Sequence, residues 1–175
     1  IEIIRGPNSA LYGKNAFLGV INIITKSGSK LDNASISHFL ANVNDNSSFG
    51  LSTIWGGKRD KFDFIFASSY SQIDYSGITL NNVPGRSIYS SNDISKKNES
   101  NPLAIFAKLS YEDEKLGKFT LDGTQQIINS YAEFLDWGAL THNNNISILN
   151  TYERLSYEKD ILKTLSANVS LAHAS

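Results

Sequence analysis

Residues 1–26 read IEIIRGPNSALYGKNAFLGVINIITK. The first five residues form an apolar run that predicts a short strand, and Gly6-Pro7 ends it. A short turn follows, for which Pro7 fixes the first φ angle and Gly13 suits the last position. Residues 19–26 have the composition of a second strand. Strand, turn and strand together predict a compact packing unit, and this pattern by itself indicates no chemistry.

Three short motifs within this stretch are more specific than its pattern. RGP at 5–7, SALYG at 9–13 and GVINIITK at 19–26 follow one another in that order. In this combination they resemble the C-terminal end of the plug domain of TonB-dependent outer-membrane receptors. The residues of this chain that match the plug motif are Gly6, Pro7, Tyr12, Gly13, Gly19 and Asn22.

The resemblance implies a fold and a domain organisation. It implies a mainly β chain in which the end of a small α+β plug domain precedes an antiparallel transmembrane β-barrel, with about seven barrel strands in this chain. The implied boundaries are 1–26 for the end of the plug, 27–32 for a linker and 33–175 for the N-terminal part of the barrel. Barrels with a plugged lumen have about 22 strands. We therefore expect a fragment without the signal peptide, the TonB box and most of the barrel.

The resemblance also implies a function. Members of the family are receptors of the bacterial outer membrane that actively take up a scarce nutrient, usually a ferric siderophore and sometimes haem or cobalamin. The implied partners are the surrounding lipid, the ligand, and the TonB complex of the inner membrane, which would act through the missing N-terminal region. The resemblance implies no cofactor and no enzymatic activity, and the identity of the transported ligand stays open.

The composition excludes some function classes. The net charge of −1 does not suggest a nucleic-acid partner. No run of about 18 apolar residues exists, which excludes a spanning helix, and the absence of cysteine excludes disulfides and thiolate chemistry. A hydrophobic content of 41% fits a soluble protein and equally fits a transmembrane β-barrel, in which only every second residue faces lipid.

Beyond residue 30 the chain predicts one strand after another, without a long helical period. The predicted strands lie near 33–43, 48–57, 62–75, 102–112, 118–134, 144–157 and 164–175. Most reach the 9 to 11 residues that a strand needs to cross a bilayer. Four of them separate an apolar from a polar face at a period of two. Two others do not show this separation: 144–157, where either register turns Glu153 or Arg154 outward and suggests a bulge, and 33–43, which has no clearly polar face.

The connections alternate between two kinds. Short charged turns are predicted at 57–60, 113–117 and 159–162, and they alternate with connections of variable length at 44–47, 77–101 and 136–143. Outer-membrane barrels alternate short periplasmic turns with longer external loops in this way.

In a barrel of the resembled family the first strand leaves a periplasmic plug linker and runs outward, so we expect the longest connection, 77–101, to lie on the cell exterior. Tyr75, Arg86 and Tyr89 are our candidates there for contacting ligand, against the alternative that they are ordinary loop residues.

Aromatic residues flank the short turns on the predicted apolar faces. Trp55 and Phe62 surround the first turn, and Tyr111 and Phe119 surround the second. Transmembrane barrels carry aromatic girdles at the membrane interfaces, so the pattern indicates a girdle. The alternative is the general preference of aromatic residues for strands.

Arg5 has no evident role in starting a helix, although it stands directly before Gly6-Pro7. In the family, plug arginines bridge to glutamates of the barrel wall, and the arginine of the RGP motif matches Arg5. The planar guanidinium suits bidentate binding of a carboxylate. The implied partner is Glu112, Glu153 or a residue of the missing strands, and the alternative is a local pair with Glu2 or full solvation.

Other chemistry is not indicated. His38, His142 and His173 are too scattered to predict a metal site, and no nucleophile elbow, zinc motif or dinucleotide fingerprint occurs. Two alternatives from other classes remain at this point. A soluble all-β carbohydrate-binding module would turn polar faces outward, and an outer-membrane barrel enzyme would need a convergent catalytic set.

Overall fold

The computed structural model describes residues 2–6, 19–22, 25–31, 33–43, 45–76, 99–131, 145–162 and 164–175. In these ranges the chain is mainly β, and its helical content is one turn of 3-10 helix at Gly28–Lys30. The strands are β1 (Glu2–Arg5), β2 (Gly19–Asn22), β3 (Asn33–Val43), β4 (Asn46–Arg59), β5 (Phe62–Asp74), β6 (Glu99–Ser100), β7 (Leu103–Asp113), β8 (Gly117–Tyr131), β9 (Asn145–Leu162) and β10 (Leu165–Ala174). No helix in the described part of the chain has the length and apolar character that crossing a membrane requires.

The N-terminal strands form a small sheet of their own. β1 and β2 pair antiparallel, with Arg5 opposite Gly19 and Glu2 opposite Asn22. Gly6 follows with φ of 102°, a conformation that glycine adopts far more easily than other residues. The strand that the sequence predicts before Gly6-Pro7 is therefore present, and it ends at Arg5, directly before this glycine.

The remaining strands form one antiparallel sheet of eight strands. From β3 to β10, each long strand pairs with the next long strand along the chain. The two-residue strand β6 continues the position of β7, since Ser100 pairs with Ile73 of β5 and with Ser130 of β8. This up-and-down order confirms the predicted mainly β, antiparallel character.

The prediction of a third short turn at 159–162 is wrong. β9 runs on to Leu162, and β10 begins at Leu165. Lys159 and Asp160 belong to the strand and pair with Ala167 and Ser166. Their charges suggested a turn. A charged side chain is as stable at the solvent-exposed end of a strand as in a turn, because it reaches water in both places.

The bulge predicted within 144–157 is also wrong. The ladder between β8 and β9 is continuous from Tyr131 opposite Asn145 to Lys118 opposite Glu158. A register shift occurs in the pairing with β10, between Leu165 and Ser166. β9 keeps both charges without a bulge in its middle: Arg154 pairs with a carboxylate on the neighbouring strand, and Glu153 lies on the other face.

Strand β3, which shows no polar face in the sequence, has a local explanation. Phe39 lies on the same face as the serines Ser35 and Ser37, opposite Gly50 of β4. The Phe39 ring occupies the space above Gly50 so closely that a Cβ added there would clash with it. Gly50 thus makes room for an aromatic ring on an otherwise polar face.

Burial in the large sheet is unusual. Among the described residues, Ile65 is the one buried hydrophobic side chain, at 5% exposure. The buried polar side chains are Ser48, Ser110, Thr120, Asp122 and Ser156. Soluble domains normally bury apolar side chains and expose polar ones, so this sheet has the opposite arrangement.

Candidate functional site

The most distinctive surface of the molecule is one face of the large sheet, which we call the apolar face. Opposite residues of antiparallel strands share a face, and the observed registers bring large hydrophobic side chains of β3, β4, β5, β7, β8, β9 and β10 together. Their exposed members are Ile36, Leu40, Phe49, Leu51, Trp55, Phe62, Phe66, Tyr70, Leu109, Phe119, Leu121, Leu149, Leu155, Val169 and Leu171. Their exposure ranges from 39% at Phe66 to 82% at Leu40.

A row of aromatic rings crosses this face near the short turns. Phe62, Tyr111, Phe119 and Tyr157 stand opposite one another on four consecutive long strands. The ring centroids are 5.0 Å apart for Phe62 and Tyr111 and 4.7 Å apart for Phe119 and Tyr157. The Tyr157 hydroxyl donates to the Leu116 carbonyl oxygen at 2.9 Å, which joins the row to the turn between β7 and β8.

Three of the four predicted girdle residues belong to this row. Phe62, Tyr111 and Phe119 lie in it, whereas Trp55 lies nearer the middle of the sheet, opposite Phe66. The Trp55 ring instead packs against the Phe64 ring, with the two ring centroids 4.8 Å apart. The sequence interpretation missed Tyr157, because it left the register of strand 144–157 open and so did not decide which face this residue is on.

The opposite face, which we call the polar face, carries a cross-strand ion pair. Arg154 of β9 donates from Nε at 3.0 Å and from Nη2 at 2.8 Å to the same Oδ1 of Asp122 on β8. Asp122 is 7% exposed, and Lys108 of β7 stands opposite it on the other side. Burying an ionised carboxylate is costly unless it is paired. The two cationic neighbours, Lys108 and Arg154, therefore stabilise the Asp122 carboxylate in its buried position.

A second polar row consists of hydroxyl groups. Ser110 and Thr120 share a hydrogen bond of 3.0 Å, and Ser156 stands opposite Thr120 on β9. All three are buried, at 4% to 8% exposure. Hydroxyls that bond one another across strands satisfy the requirement that buried polar groups have partners. The hydroxyl row and the ion pair therefore join neighbouring strands through paired polar side chains on this face.

The turns beyond the aromatic row carry charges of both signs. Lys61, between β4 and β5, forms an ion pair with Asp113 at the end of β7. Asp113 Oδ1 also accepts from the backbone nitrogens of Lys115 at 2.8 Å and Leu116 at 3.0 Å. The bond from Lys61, together with these two backbone donors, lowers the pKa of Asp113 to about 2. The same partner raises the pKa of Lys61 above its ordinary value.

A groove of about 900 Å³ lies at this end of the sheet. Lysines such as Lys58 and Lys118 alternate along its lining with carboxylates such as Glu112 and Glu158. Because both signs are interspersed, the lining does not form a surface of one charge. In the described part of the chain, no group of three or more His, Cys, Asp or Glu could hold a metal ion.

The site residues predicted from the sequence are placed only in part. Arg5, Glu2, Gly19 and Asn22 have their backbones in the small sheet, and Tyr75 follows β5 with 42% exposure. The others, Pro7, Tyr12, Gly13, Arg86 and Tyr89, lie outside the described residues. The Arg5 pairing and the ligand contacts stay predictions.

The two proposed partners of Arg5 lie on different faces. Glu112 is on the polar face, opposite Lys118. Glu153 is on the apolar face, opposite Gly123 and His173, so it does not share a face with Glu112. The register that turns Arg154 toward Asp122 necessarily turns its neighbour Glu153 to the other face, since side chains alternate along a strand.

Comparison of the chain with protein-family models, with curated proteins and with solved structures finds no match.

Proposed function

We propose that this chain forms part of the wall of a TonB-dependent outer-membrane receptor, which actively takes up a scarce nutrient, most often a ferric siderophore. The observation that carries the proposal is the reversed burial of the large sheet, with an exposed apolar face and buried, paired polar side chains. In water such a face is an association or aggregation hazard. In a bilayer it is the stable arrangement, because lipid replaces water as the solvent of that face.

The height of the apolar face supports a bilayer as its partner. β5 advances ten residues from Phe62 in the aromatic row to Gln72, where the apolar side chains give way to an amide. At about 3.4 Å per residue and a tilt of about 45°, this covers roughly 24 Å. Transmembrane barrels have an apolar band of about 25 Å bounded by aromatic girdles. The aromatic row is our candidate for one of these girdles.

The edges of the sheet support a larger closed structure. In the described part of the chain, β3 and β10 stand at the two ends of the strand order, and each pairs on one side. Open edges are sites of uncontrolled pairing, and closure into a barrel removes them. We therefore assign 33–175 to the beginning of a barrel, 27–32 to the linker and 1–26 to the end of the plug, as the RGP, SALYG and GVINIITK motifs imply.

The membrane part of the proposal can be tested with single cysteines, because the chain contains none. Leu51 and Ser52 are adjacent and exposed on opposite faces of β4, as are Leu149 and Asn150 on β9. Each is replaced by cysteine and spin-labelled in the full-length protein in lipid vesicles. We expect Leu51→Cys and Leu149→Cys to contact lipid-soluble oxygen, and Ser52→Cys and Asn150→Cys to contact a water-soluble nickel chelate. Equal access of the chelate to both members of each pair would contradict a lipid-facing apolar face.

The transport part needs a separate test in the organism that makes the protein. We expect deletion to abolish or strongly reduce uptake of one of three probes supplied in separate assays, namely a ferric siderophore, haem and cobalamin. Loss of ferric siderophore uptake alone supports the favoured ligand class. Loss of haem or cobalamin uptake supports the alternative ligands, and normal uptake of all three would contradict a receptor of this family.

A further inference from the structure

The linker between β2 and β3 is held against the polar face of the large sheet. Gly28 donates its backbone N–H to Oδ1 of Asp63 at 2.7 Å, and Ser29 donates to Oδ2 at 2.9 Å. Both oxygens of one carboxylate are therefore occupied by the backbone of a segment 34 and 35 residues earlier in the chain. Hydrogen bonds to an ionised acceptor are stronger than neutral ones, so this is a firm contact.

Glycines make the close contact possible. A Cβ added at Gly28 would clash with the Phe64 carbonyl oxygen and would lie 2.5 Å from that of Gly57. A Cβ added at Gly56 would lie 3.2 Å from both the Gly28 Cα and Leu31 Cδ1. Backbone thus packs directly on backbone, which only residues without a side chain permit.

The contact also lies beside Ile65, the one buried hydrophobic side chain among the residues that the structure describes. Ile65 stands opposite Gly56 on the polar face, and the linker packs at Gly56 through Gly28 and Leu31. Ile65 is 5% exposed, in contrast to the exposed hydrophobic residues of the other face. The 3-10 turn and Leu31 therefore pack on the polar face beside the buried Ile65 side chain.

We propose that Asp63 is a positioning residue that anchors the linker, so that Gly28–Leu31 is a fixed part of the sheet and not a hinge. Any movement of the β1–β2 unit relative to the sheet then begins before Gly28. The anchor requires no membrane and no ligand, so it stands independently of the proposed function. Under that function it defines where the plug segment separates from the wall.

Amide hydrogen exchange tests the anchor in the full-length protein. Asp63→Asn removes the charge and one acceptor, because the amide nitrogen of Asn cannot accept. We expect exchange at Gly28 or Ser29 to accelerate at least about tenfold, given the strength of hydrogen bonds to charged groups. Exchange at Ile65 should stay unchanged, which separates release of the linker from unfolding of the sheet.

Asp60→Asn is the matched control. It removes the same charge from the exposed turn between β4 and β5, where the φ of 52° is also accessible to Asn. Exchange at Gly28 and Ser29 should not respond to it. An equal response to both variants, or fully unprotected Gly28 and Ser29 amides in the unaltered protein, would overturn the anchor.

A second pair of variants tests the packing without touching Asp63. Gly28→Ala should release the linker through the clash of its Cβ, whereas Ser37→Ala removes one exposed hydroxyl of β3, away from the anchor, and should not. The readout is tryptic cleavage after Lys26 and Lys30, both of which are exposed. We expect cleavage to accelerate at least about tenfold in Gly28→Ala alone, in line with the cost of overpacking. Equal cleavage rates in the two variants would contradict a tightly packed anchor.

Discussion

At the scale of single residues, Glu153 provides the sharpest test of the environment of the apolar face. It lies on that face four residues from Tyr157, which is roughly 10 Å from the aromatic row along a tilted strand. A charge on a lipid-contacting face is destabilising in a depth-dependent way, and less so for Glu than for Lys or Arg. We expect Glu153→Leu to raise the free energy of unfolding in lipid vesicles by about 1–2 kcal/mol.

The control for this variant is Glu112→Leu, which makes the same change on the polar face. It should not stabilise the protein, since Glu112 stands opposite Lys118 and is solvent-exposed. Both free energies are measured by urea unfolding in vesicles. A Glu153→Leu protein no more stable than the unaltered one would mean that water, and not lipid, contacts that face.

The ion pair of Lys61 and Asp113 predicts a dependence of stability on pH. The pKa of Asp113 is lowered to about 2, so the folded protein binds its proton less readily than the unfolded chain. The stabilisation is therefore fully present above about pH 4 and is lost as the pH falls toward 2. Asp113→Asn removes the charge, while Asn Oδ1 still accepts from Lys115 and Leu116.

We expect the difference in unfolding midpoint between the unaltered protein and Asp113→Asn to shrink between pH 4 and pH 2. Urea unfolding in detergent micelles at several pH values measures it. Glu114→Gln, a change in the same turn, provides the control. A difference that stays constant over this window would show that the ion pair with Asp113 contributes no pH-dependent stability.

At the scale of elements, the aromatic row predicts energetic coupling between strands. Aromatic pairs contribute about 0.5–1.5 kcal/mol beyond the area they bury. We expect a coupling free energy in this range for Phe119 and Tyr157, measured by a double-mutant cycle of Phe119→Leu and Tyr157→Leu. The pair Phe62 and Tyr157, which lie in the same row on strands that are not neighbours, should show coupling near zero. Similar values for both pairs would mean that the row is not held together by ring contacts.

At the scale of the whole molecule, the exposed apolar face and the two open edges predict behaviour in solution. We expect residues 1–175 expressed alone to form inclusion bodies or to need detergent, because both features promote association in water. Size-exclusion chromatography with and without detergent measures this. A soluble monomer that unfolds cooperatively without detergent would contradict a barrel fragment.

Much of the fold follows from neighbouring residues in the sequence. The strands of the large sheet fall close to their predicted positions, because alternation at a period of two is a property of consecutive side chains. The predictions of the turn at 159–162 and of the bulge within 144–157 failed, and both were based on charged residues. Lys159 and Asp160 suggested a turn, and Arg154 suggested a bulge, but a charged side chain stays in a regular strand when it reaches water or a carboxylate on the next strand.

The sequence by itself determined the approximate positions of the strands, the short turn between β7 and β8, and the apolar and polar faces of most strands. The tertiary structure alone decided which residues meet. Residues far apart along the chain meet in the row of four aromatic rings, in the ion pair of Asp122 with Arg154, and in the hydrogen bond from Gly28 to Asp63. Such contacts depend on the register between strands, and a shift of one residue would turn every side chain of a strand to the other face. A linear pattern shows the period of a strand, but the register is a property of the paired sheet.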